Sequence, residues 1–453
     1  MQRKLEDFVR ALRLDAYLVG GAVRDELLGL ESKDADFLVP RVDHAGLKTA
    51  LAPHGRVEDL EVARQLVGVR LWPKDAAVRE LAPKGIEFAP PRRERSTGPG
   101  RHDFEIVVDP DASVEDDMAR RDFTVNAIAR RLDSGELVDP FGGQDDLQER
   151  VLRTVSERSF AEDPLRIVRG LRLVSQLDLA PDERTLQQMA DEAISIRLVS
   201  GERIGGGLHV DGTGELSKLL LGARPAKALR IARDTGVLVA LIPEFGRTID
   251  YDQQSERQDR TLDEHIFCTV QLAADARASL AVRLGALFHD LGKPEADETG
   301  ENHARLGTRI AGDVLSRLRY PGRLRRHVMD LVAAHSFALD DVDELFARRF
   351  LRKHGDELAR DLVEHKGADL RAKSVPQEEH DAVERLAGLL EQEREQPHRL
   401  ADLAVDGGDL LGIGYSEGPA LGRALETLLD EVVEDPRRNE RDYLLRRAEE
   451  LLA

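Results

Sequence analysis

Apolar positions are spaced in two ways along this chain. Up to about residue 150 they gather in short runs rich in β-branched and aromatic residues, at positions 16–19, 36–39 and Phe104–Val108. Each run is bounded by Gly, Asp or Pro, which predicts strands. Beyond Asp145 apolar residues recur every three or four positions, as in Leu165, Val168, Leu171 and Val174, and so share one face of a helix. That spacing continues almost to the end, with breaks at Pro181-Asp182 and at Gly205, Gly206 and Gly207. The polar stretch 247–261 marks a domain boundary. Residues 1–14 mix Arg3, Lys4, Glu6, Asp7 and Arg10 with apolar positions, which reads as an amphipathic helix and not as a signal peptide. No apolar run is long enough to span a bilayer. The expected fold is an α+β head followed by an elongated, all-α body.

Composition narrows this picture. A chain of 453 residues is too long for one ordinary core, so two or three domains are expected. The single cysteine, Cys268, excludes a disulfide framework and suits a reducing cytosol, so the expected location is cytoplasmic. A net charge of −20 argues against a general nucleic-acid binder, because phosphate neutralisation supplies most of such affinity. RNA still fits if one face is locally basic. Basic residues cluster at Arg92, Arg93, Arg95 and Arg101, between Arg317 and Arg326, and at Arg348, Arg349, Arg352 and Lys353. The last two clusters read equally well as solvated helix faces.

Four elements in the first 170 residues carry chemistry. In Leu18-Val19-Gly20-Gly21-Ala22-Val23-Arg24-Asp25 a strand enters two glycines and then a helix. Paired glycines let backbone amides approach phosphate, and Arg24 can reach a triphosphate oxygen. In Lys33-Asp34-Ala35-Asp36-Phe37 the i, i+2 spacing on a strand sets Asp34 and Asp36 on one face. Adjacent carboxylates of this kind hold a hard divalent ion such as Mg²⁺ against a triphosphate. Next, Glu115-Asp116-Asp117-Met118-Ala119 runs into Arg120-Arg121-Asp122-Phe123-Thr124-Val125-Asn126-Ala127. There Arg121 and Asn126 suit triphosphate and sugar hydroxyls, and Asp122 a ribose hydroxyl. Finally, Glu162-Asp163-Pro164-Leu165-Arg166-Ile167-Val168-Arg169 opens a helix with Asp163, Arg166 and Arg169 along one stripe. A carboxylate beside guanidiniums matches the Watson–Crick edge of a base. Taken singly, the Gly-Gly turn reads as packing, the Asp-x-Asp pair as a chance turn, and the last two elements as ordinary ion pairing.

In this order the four elements resemble the class II tRNA nucleotidyltransferases, the CCA-adding enzymes, within the polymerase-β-like superfamily. The resemblance is strong from about Tyr17 to Arg172 and looser beyond. It implies that Gly20, Gly21, Arg24 and Asp25 form the nucleotide-binding turn, and that Asp34 and Asp36 are the catalytic carboxylates holding Mg²⁺. It implies that Arg120, Arg121, Asp122 and Asn126 also bind nucleotide. Glu162, Asp163 and Arg166 match the family's amino-acid template for CTP and ATP, with Arg169 as a further nucleotide contact. Glu87 is a candidate third carboxylate, or equally a strand-end residue. The segment with Arg92 and Arg95 looks like the family's flexible loop, which serves the switch from C to A; Ser96 stands where a lysine is frequent. Glu202-Arg203 suits the family's neck helix, but Gly205 to Gly207 follow where charged residues are usual, so this helix is expected to break early.

A second constellation lies past residue 260. His265 opens a helical pattern, His289-Asp290 follows an apolar run, and His303 lies a short loop beyond. Such a set can build a mixed nitrogen and oxygen site for a transition metal. Phe288-His289-Asp290-Leu291-Gly292-Lys293-Pro294 resembles the HD phosphohydrolase superfamily. That likeness implies His265, His289, Asp290 and Asp369 as ligands of Ni, Mn or Co, His303 as a further ligand or phosphate contact, and His335 as a weaker one. The expected domains are a head at 1–145, a helical neck and body for nucleotide selection and tRNA binding at 146–250, an HD-type domain at 251–375 and a helical tail at 376–453.

The resulting expectation is addition of CCA to the tRNA 3′ end from CTP and ATP, with no membrane partner. The same motifs suit a CC-adding or A-adding enzyme, or a poly(A) polymerase. The last is disfavoured by the absence of a strongly basic tail, and a CC-only enzyme by the 92–95 segment. From another class, the HD-type domain can be the main activity, acting on 2′,3′-cyclic or 2′-phosphates. Alanine at Asp34 and Asp36 separates these readings.

Overall fold

The computed structural model describes residues 2–31, 36–62, 65–96, 104–109, 111–206 and 213–452. The chain divides into two compact units, Met1–Pro243 and Glu244–Ala453.

The first unit holds the strands. Named in chain order, they are β1 (Tyr17–Val19), β2 (Asp36–Leu38), β3 (Gly55–Val62), β4 (Gln65–Pro73), β5 (Ile86–Ala89), β6 (Arg92–Ser96), β7 (Phe104–Val108), β8 (Ala129–Arg131) and β9 (Leu137–Val138). Seven form one mixed sheet in the order β3-β4-β5-β2-β1-β8-β9, in which β2 and β5 run parallel. Leu18, Val19, Phe37 and Leu38 are buried, and Phe37 stacks on Phe88 with ring centroids 5.5 Å apart. The expected strands at 16–19, 36–39 and Phe104–Val108 are present. Residues 92–95, expected in a flexible loop, instead form β6, paired with β7 in a separate hairpin. The β-branched run of Phe104–Val108 supplies the partner that draws Arg92 and Arg95 into a strand. The segment 97–103 between them, with Arg101, lies outside the described residues.

The register places chemistry at one end of the central strands β1, β2 and β5. Val19 pairs with Asp36 and with Ala129, Asp36 pairs with Glu87, and Glu87 pairs with Arg70. Directly opposed residues share a face, so Asp36 and Glu87 present their carboxylates side by side. The chain leaves β1 at Val19 into the Gly20-Gly21 turn at the same end. The helix Leu165–Leu177 buries Leu165, Val168, Leu171 and Val174, as their spacing predicts, and packs on the helices Glu215–Leu220 and Pro225–Asp234. A Cβ at Gly170 would lie 2.7 Å from Phe123, so the helix meets this ring closely. The segment after Val199 makes one wide π-type turn, Glu202–Gly206, and no longer helix, in line with the glycines that follow.

The second unit is helical throughout its described residues. The helices Leu262–Asp275, Leu280–Phe288, Gly322–Ala334 and Glu344–Arg371 converge on one core that includes Val282, Leu331, Leu351 and Leu362. A smaller core joins Val405, Leu410, Leu428 and Leu444 near the end of the chain. The basic clusters of this unit are largely ion-paired: Arg317 with Glu244, Arg348 with Glu393, Arg349 with Glu434 and Arg352 with Glu426. No described helix is long and apolar enough to cross a membrane.

Candidate functional site

A cleft of about 770 Å³ opens over the Asp36 end of β2, within the range of small-molecule sites. Eight arginines and six carboxylates line it, so a strongly acidic chain keeps a locally cationic cleft. Gly20 has φ +72°, and a Cβ there would lie 2.7 Å from Arg121 Nη1. Only glycine combines that backbone with this approach. Arg24 donates to Asn126 Oδ1 at 2.6 Å and to Asp25 Oδ1 at 2.6 and 2.8 Å. These bonds aim its guanidinium along the turn.

The arginine pair is organised by Asp117, a member of the acidic trio that, taken singly, reads as ordinary ion pairing. Asp117 has no solvent exposure. It accepts from Arg120 Nε and Nη2 at 2.8 and 2.7 Å and from Arg121 Nη2 at 3.1 Å. Burial alone would raise its pKa, but the Arg120 and Arg121 charges outweigh burial and hold it below the usual carboxylate range. Asp122 is also buried, and its oxygens accept from Arg169 Nε at 2.8 Å, Asn126 Nδ2 at 2.9 Å and the Phe123 amide at 2.9 Å. Against burial, Arg169 and Asn126 keep it ionised, while Asp122 in turn raises the pKa of Arg169.

Arg166, at the start of the helix Leu165–Leu177, donates to the Arg120 carbonyl at 2.8 Å and to Ser159 Oγ at 3.2 Å, and lies 3.4 Å from Glu162. Asp163 accepts from the Leu165 amide at 3.1 Å and from Arg203 Nη2 at 3.0 Å. Asp163, Arg166, Arg169 and Arg203 all line the cleft, as do Gly20, Gly21, Arg24, Asp25, Asp36, Glu87, Arg92, Arg120, Arg121, Asp122 and Asn126. Glu162 stands behind Arg166. Asp34 lies outside the described residues, and the Arg95 side chain is not described. Arg172 joins the lining one helical turn past Arg169, in an ion pair with buried Glu215 at 3.2 Å.

In the second unit five helices bring histidines and aspartates together. His265 Nε2 and His289 Nε2 are 3.2 Å apart, and both rings are fully buried. Asp290 Oδ2 lies 3.5 and 3.1 Å from them. Three donors so spaced share a point ~2 Å from each, the length of a bond to a first-row metal. Asp369 Oδ1 reaches the same two nitrogens at 3.1 and 3.5 Å. His289 Nδ1 donates to the Ala286 carbonyl at 2.9 Å, which turns its Nε2 lone pair inward. The sequence reading omitted His365, which is buried one turn before Asp369 with its ring centroid 5.0 Å from that of His289. Beside the cluster, a cavity of about 540 Å³ is lined by Arg257, Lys293, Lys366 and Lys373 among others.

Comparison with known proteins follows this division. Residues 16–153 match the model of the poly A polymerase head domain, residues 178–247 that of the probable RNA and SrmB-binding site of polymerase A, and residues 305–448 that of the putative tRNA nucleotidyltransferase domain 2. The chain is 36% identical over 321 residues to the multifunctional CCA protein of Ralstonia nicotianae, covering 68% of this chain and 69% of that one. It is 33% identical over 437 residues to the multifunctional CCA protein of Methylococcus capsulatus, covering 92% and 93%. Among solved structures, the CCA-adding enzyme of Bacillus stearothermophilus in complex with CTP shares the fold, with a TM-score of 0.70 and 24% identity over 99% of this chain and 95% of that one. The Thermotoga maritima CCA-adding enzyme complexed with tRNA aligns with a TM-score of 0.57 at 21% identity, covering 99% and 93%.

Proposed function

This chain belongs to the family of the multifunctional CCA proteins, tRNA nucleotidyltransferases, and from that premise we propose how its first unit adds C, C and A to the 3′ end of a tRNA. CTP, CTP and ATP are joined in turn, with pyrophosphate released at each step. Dependence on a divalent metal comes with the family, and Mg²⁺ on Asp34 and Asp36 is the specific reading. The neighbouring Asp36 and Glu87 carboxylates are the hard oxygen donors that such an ion takes. When bound, Mg²⁺ offsets the triphosphate charge and assists the attacking 3′-hydroxyl.

The protein's own groups do the rest. Arg24 and Arg121 receive triphosphate oxygens, and Asp117 fixes Arg120 and Arg121 before the nucleotide arrives. Asp163 and Arg166 read the base. An aspartate accepts a hydrogen bond and an arginine donates. Cytosine and adenine both show an exocyclic amine beside a ring nitrogen acceptor, so one residue pair serves both. Uracil and guanine reverse this order and leave donor against donor. The observation that carries this reading is one cleft in which Asp36, the Asp117-held arginines and the Asp163–Arg166 pair meet.

A second reading rests on the histidine–aspartate cluster. A transition metal (Ni, Mn or Co) held by His265, His289, Asp290 and Asp369 supplies Lewis acidity toward a phosphoester when bound. Lys293, Lys366 and Lys373 give the adjoining cavity the charge to hold its anionic group. The two activities separate by substitution. Asp36→Asn abolishes nucleotide incorporation and leaves hydrolysis of a 2′,3′-cyclic or 2′-phosphate intact; His289→Asn does the reverse. Incorporation that survives Asp36→Asn contradicts the site assignment.

A further inference from the structure

The outer strands of the sheet carry an aromatic and basic pocket that the transferase cleft does not use. It holds about 420 Å³ and is lined by Arg56, Trp72, Pro73, Lys74 and Arg79, none of which lines the cleft. Arg56 lies on β3, the edge strand, directly opposite Trp72 on β4, and Arg79 comes from the helix Ala76–Leu81. Trp72 is the chain's single tryptophan. Its Nε1 donates to Glu58 Oε2 at 2.7 Å, which fixes the plane of the ring before a ligand arrives. The ring is only partly buried. Arg56, whose side chain is 69% exposed, pairs with Glu58 at 2.7 Å and lies over the ring, 5.5 Å from its centroid. Lys74 and Arg79 are exposed, and no carboxylate lines the pocket. Three cations around a flat apolar ring complement a nucleobase together with its phosphate. A base that takes the ring face displaces only an exposed arginine, whose guanidinium can then turn to that phosphate.

The register puts this pocket on the catalytic face of the sheet. Asp36 pairs with Glu87, Glu87 with Arg70 and Arg70 with Glu58, so these four form one row on one face. Trp72 and Arg56 stand two residues from Arg70 and Glu58 along β4 and β3, and therefore on the same face. The step runs toward the end at which β2 begins and β1 passes into the Gly20-Gly21 turn. In the sheet β4 is two strand spacings from β2, or ~10 Å. We propose that Trp72 stacks a base of the RNA strand leading up to the reacting 3′-hydroxyl, with Lys74 and Arg79 on its phosphates. This rests on the transferase reading and adds to it a path for the strand: with the 3′-hydroxyl at Asp36, the preceding nucleotides leave the cleft along the sheet face.

The single tryptophan makes the test direct, because all indole emission of the full-length chain comes from Trp72. The probe is tRNA ending in CC, titrated with Mg²⁺ present, and compared with CTP or ATP alone. Stacking is expected to quench the emission at least twofold with the tRNA and to leave it unchanged with either nucleotide. Trp72→Ala is expected to raise KM for this tRNA about 5- to 150-fold, the loss that alanine brings at a base-stacking ring, with KM for ATP unmoved. Arg79→Gln keeps the ring and guards against a folding defect in Trp72→Ala. It is expected to weaken binding and to lower the slope of log Kd against log salt by about 0.7, the share of one phosphate contact on a single strand. No quench at tRNA concentrations that saturate incorporation overturns the proposal and leaves the transferase reading standing. An equal quench by CTP or ATP alone makes the pocket a nucleotide site and overturns it too. A quench that persists in Arg79→Gln with unchanged affinity and slope arises elsewhere and has the same force. Failure of the chain to bind or extend the tRNA at all overturns the transferase reading as well.

Discussion

Replacing Asp117 by Asn tests whether the buried carboxylate that holds Arg120 and Arg121 sets the strength of nucleotide binding. The carboxylate accepts from Arg120 through one oxygen and from Arg121 through the other. The isosteric amide keeps one acceptor and turns an N–H₂ toward the second guanidinium. One charge-assisted hydrogen bond is lost, worth about 1.5–3 kcal/mol. Since ~1.4 kcal/mol is tenfold, kcat/KM is expected to fall roughly 10- to 150-fold. With Arg121 on the triphosphate and not the base, as proposed, the loss should be equal for CTP and ATP. The assay is steady-state incorporation of each nucleotide on tRNA ending at the proper position, with a thermal melt to confirm that the variant is folded at the assay temperature. An unchanged kcat/KM, or a loss confined to one nucleotide, refutes the reasoning.

Three further outcomes follow from the geometry. Asp163→Ala removes the group that accepts from the base amine and is expected to raise misincorporation from UTP and GTP relative to CTP by tenfold or more, measured in competition; unchanged selectivity contradicts the template assignment. Gly20→Ala forces a side chain into φ +72° and against Arg121 Nη1, which costs at least ~1 kcal/mol, so KM for both nucleotides should rise together. His354 is held neutral by burial and then by Lys353, with a pKa pushed down to about 4. Its unfolded pKa is higher, near 6.5, so the unfolded chain takes up the proton first and stability falls as pH drops from 6.5 toward 4. Because the ring is partly exposed to water the loss is at most ~1–2 kcal/mol, visible as a lower thermal midpoint at pH 5 than at pH 7 that His354→Phe, packed on Phe350, should abolish.

Much of the first site was legible because its parts are contiguous. The Gly20-Gly21 turn, Arg24, the Arg120–Asn126 segment and the Asp163–Arg166 spacing each carry their signal within eight residues, and the fold then gathers them. What was not legible depends on partners distant in sequence or on tertiary burial. Asp117 sits in an acidic trio whose other members cap and face solvent, and only burial separates it from them. Arg203 gains meaning through Asp163, and Arg172 through Glu215. The strand β6 reads as a charged loop because its pairing with Phe104–Val108 supplies the order that its own residues do not. In the second unit His265, His289 and Asp290 lie close enough to draw attention, whereas His365 stands inside a long helix and is revealed only by the rings around it.

The central claim is tested most directly by giving the purified chain, with Mg²⁺, a tRNA lacking its last three nucleotides and either CTP alone, ATP alone or both, and resolving products to single nucleotides. The account predicts two additions with CTP alone, none with ATP alone, and a third only when both are present. An arrest at CC with both present, or a run of A added without limit, contradicts it.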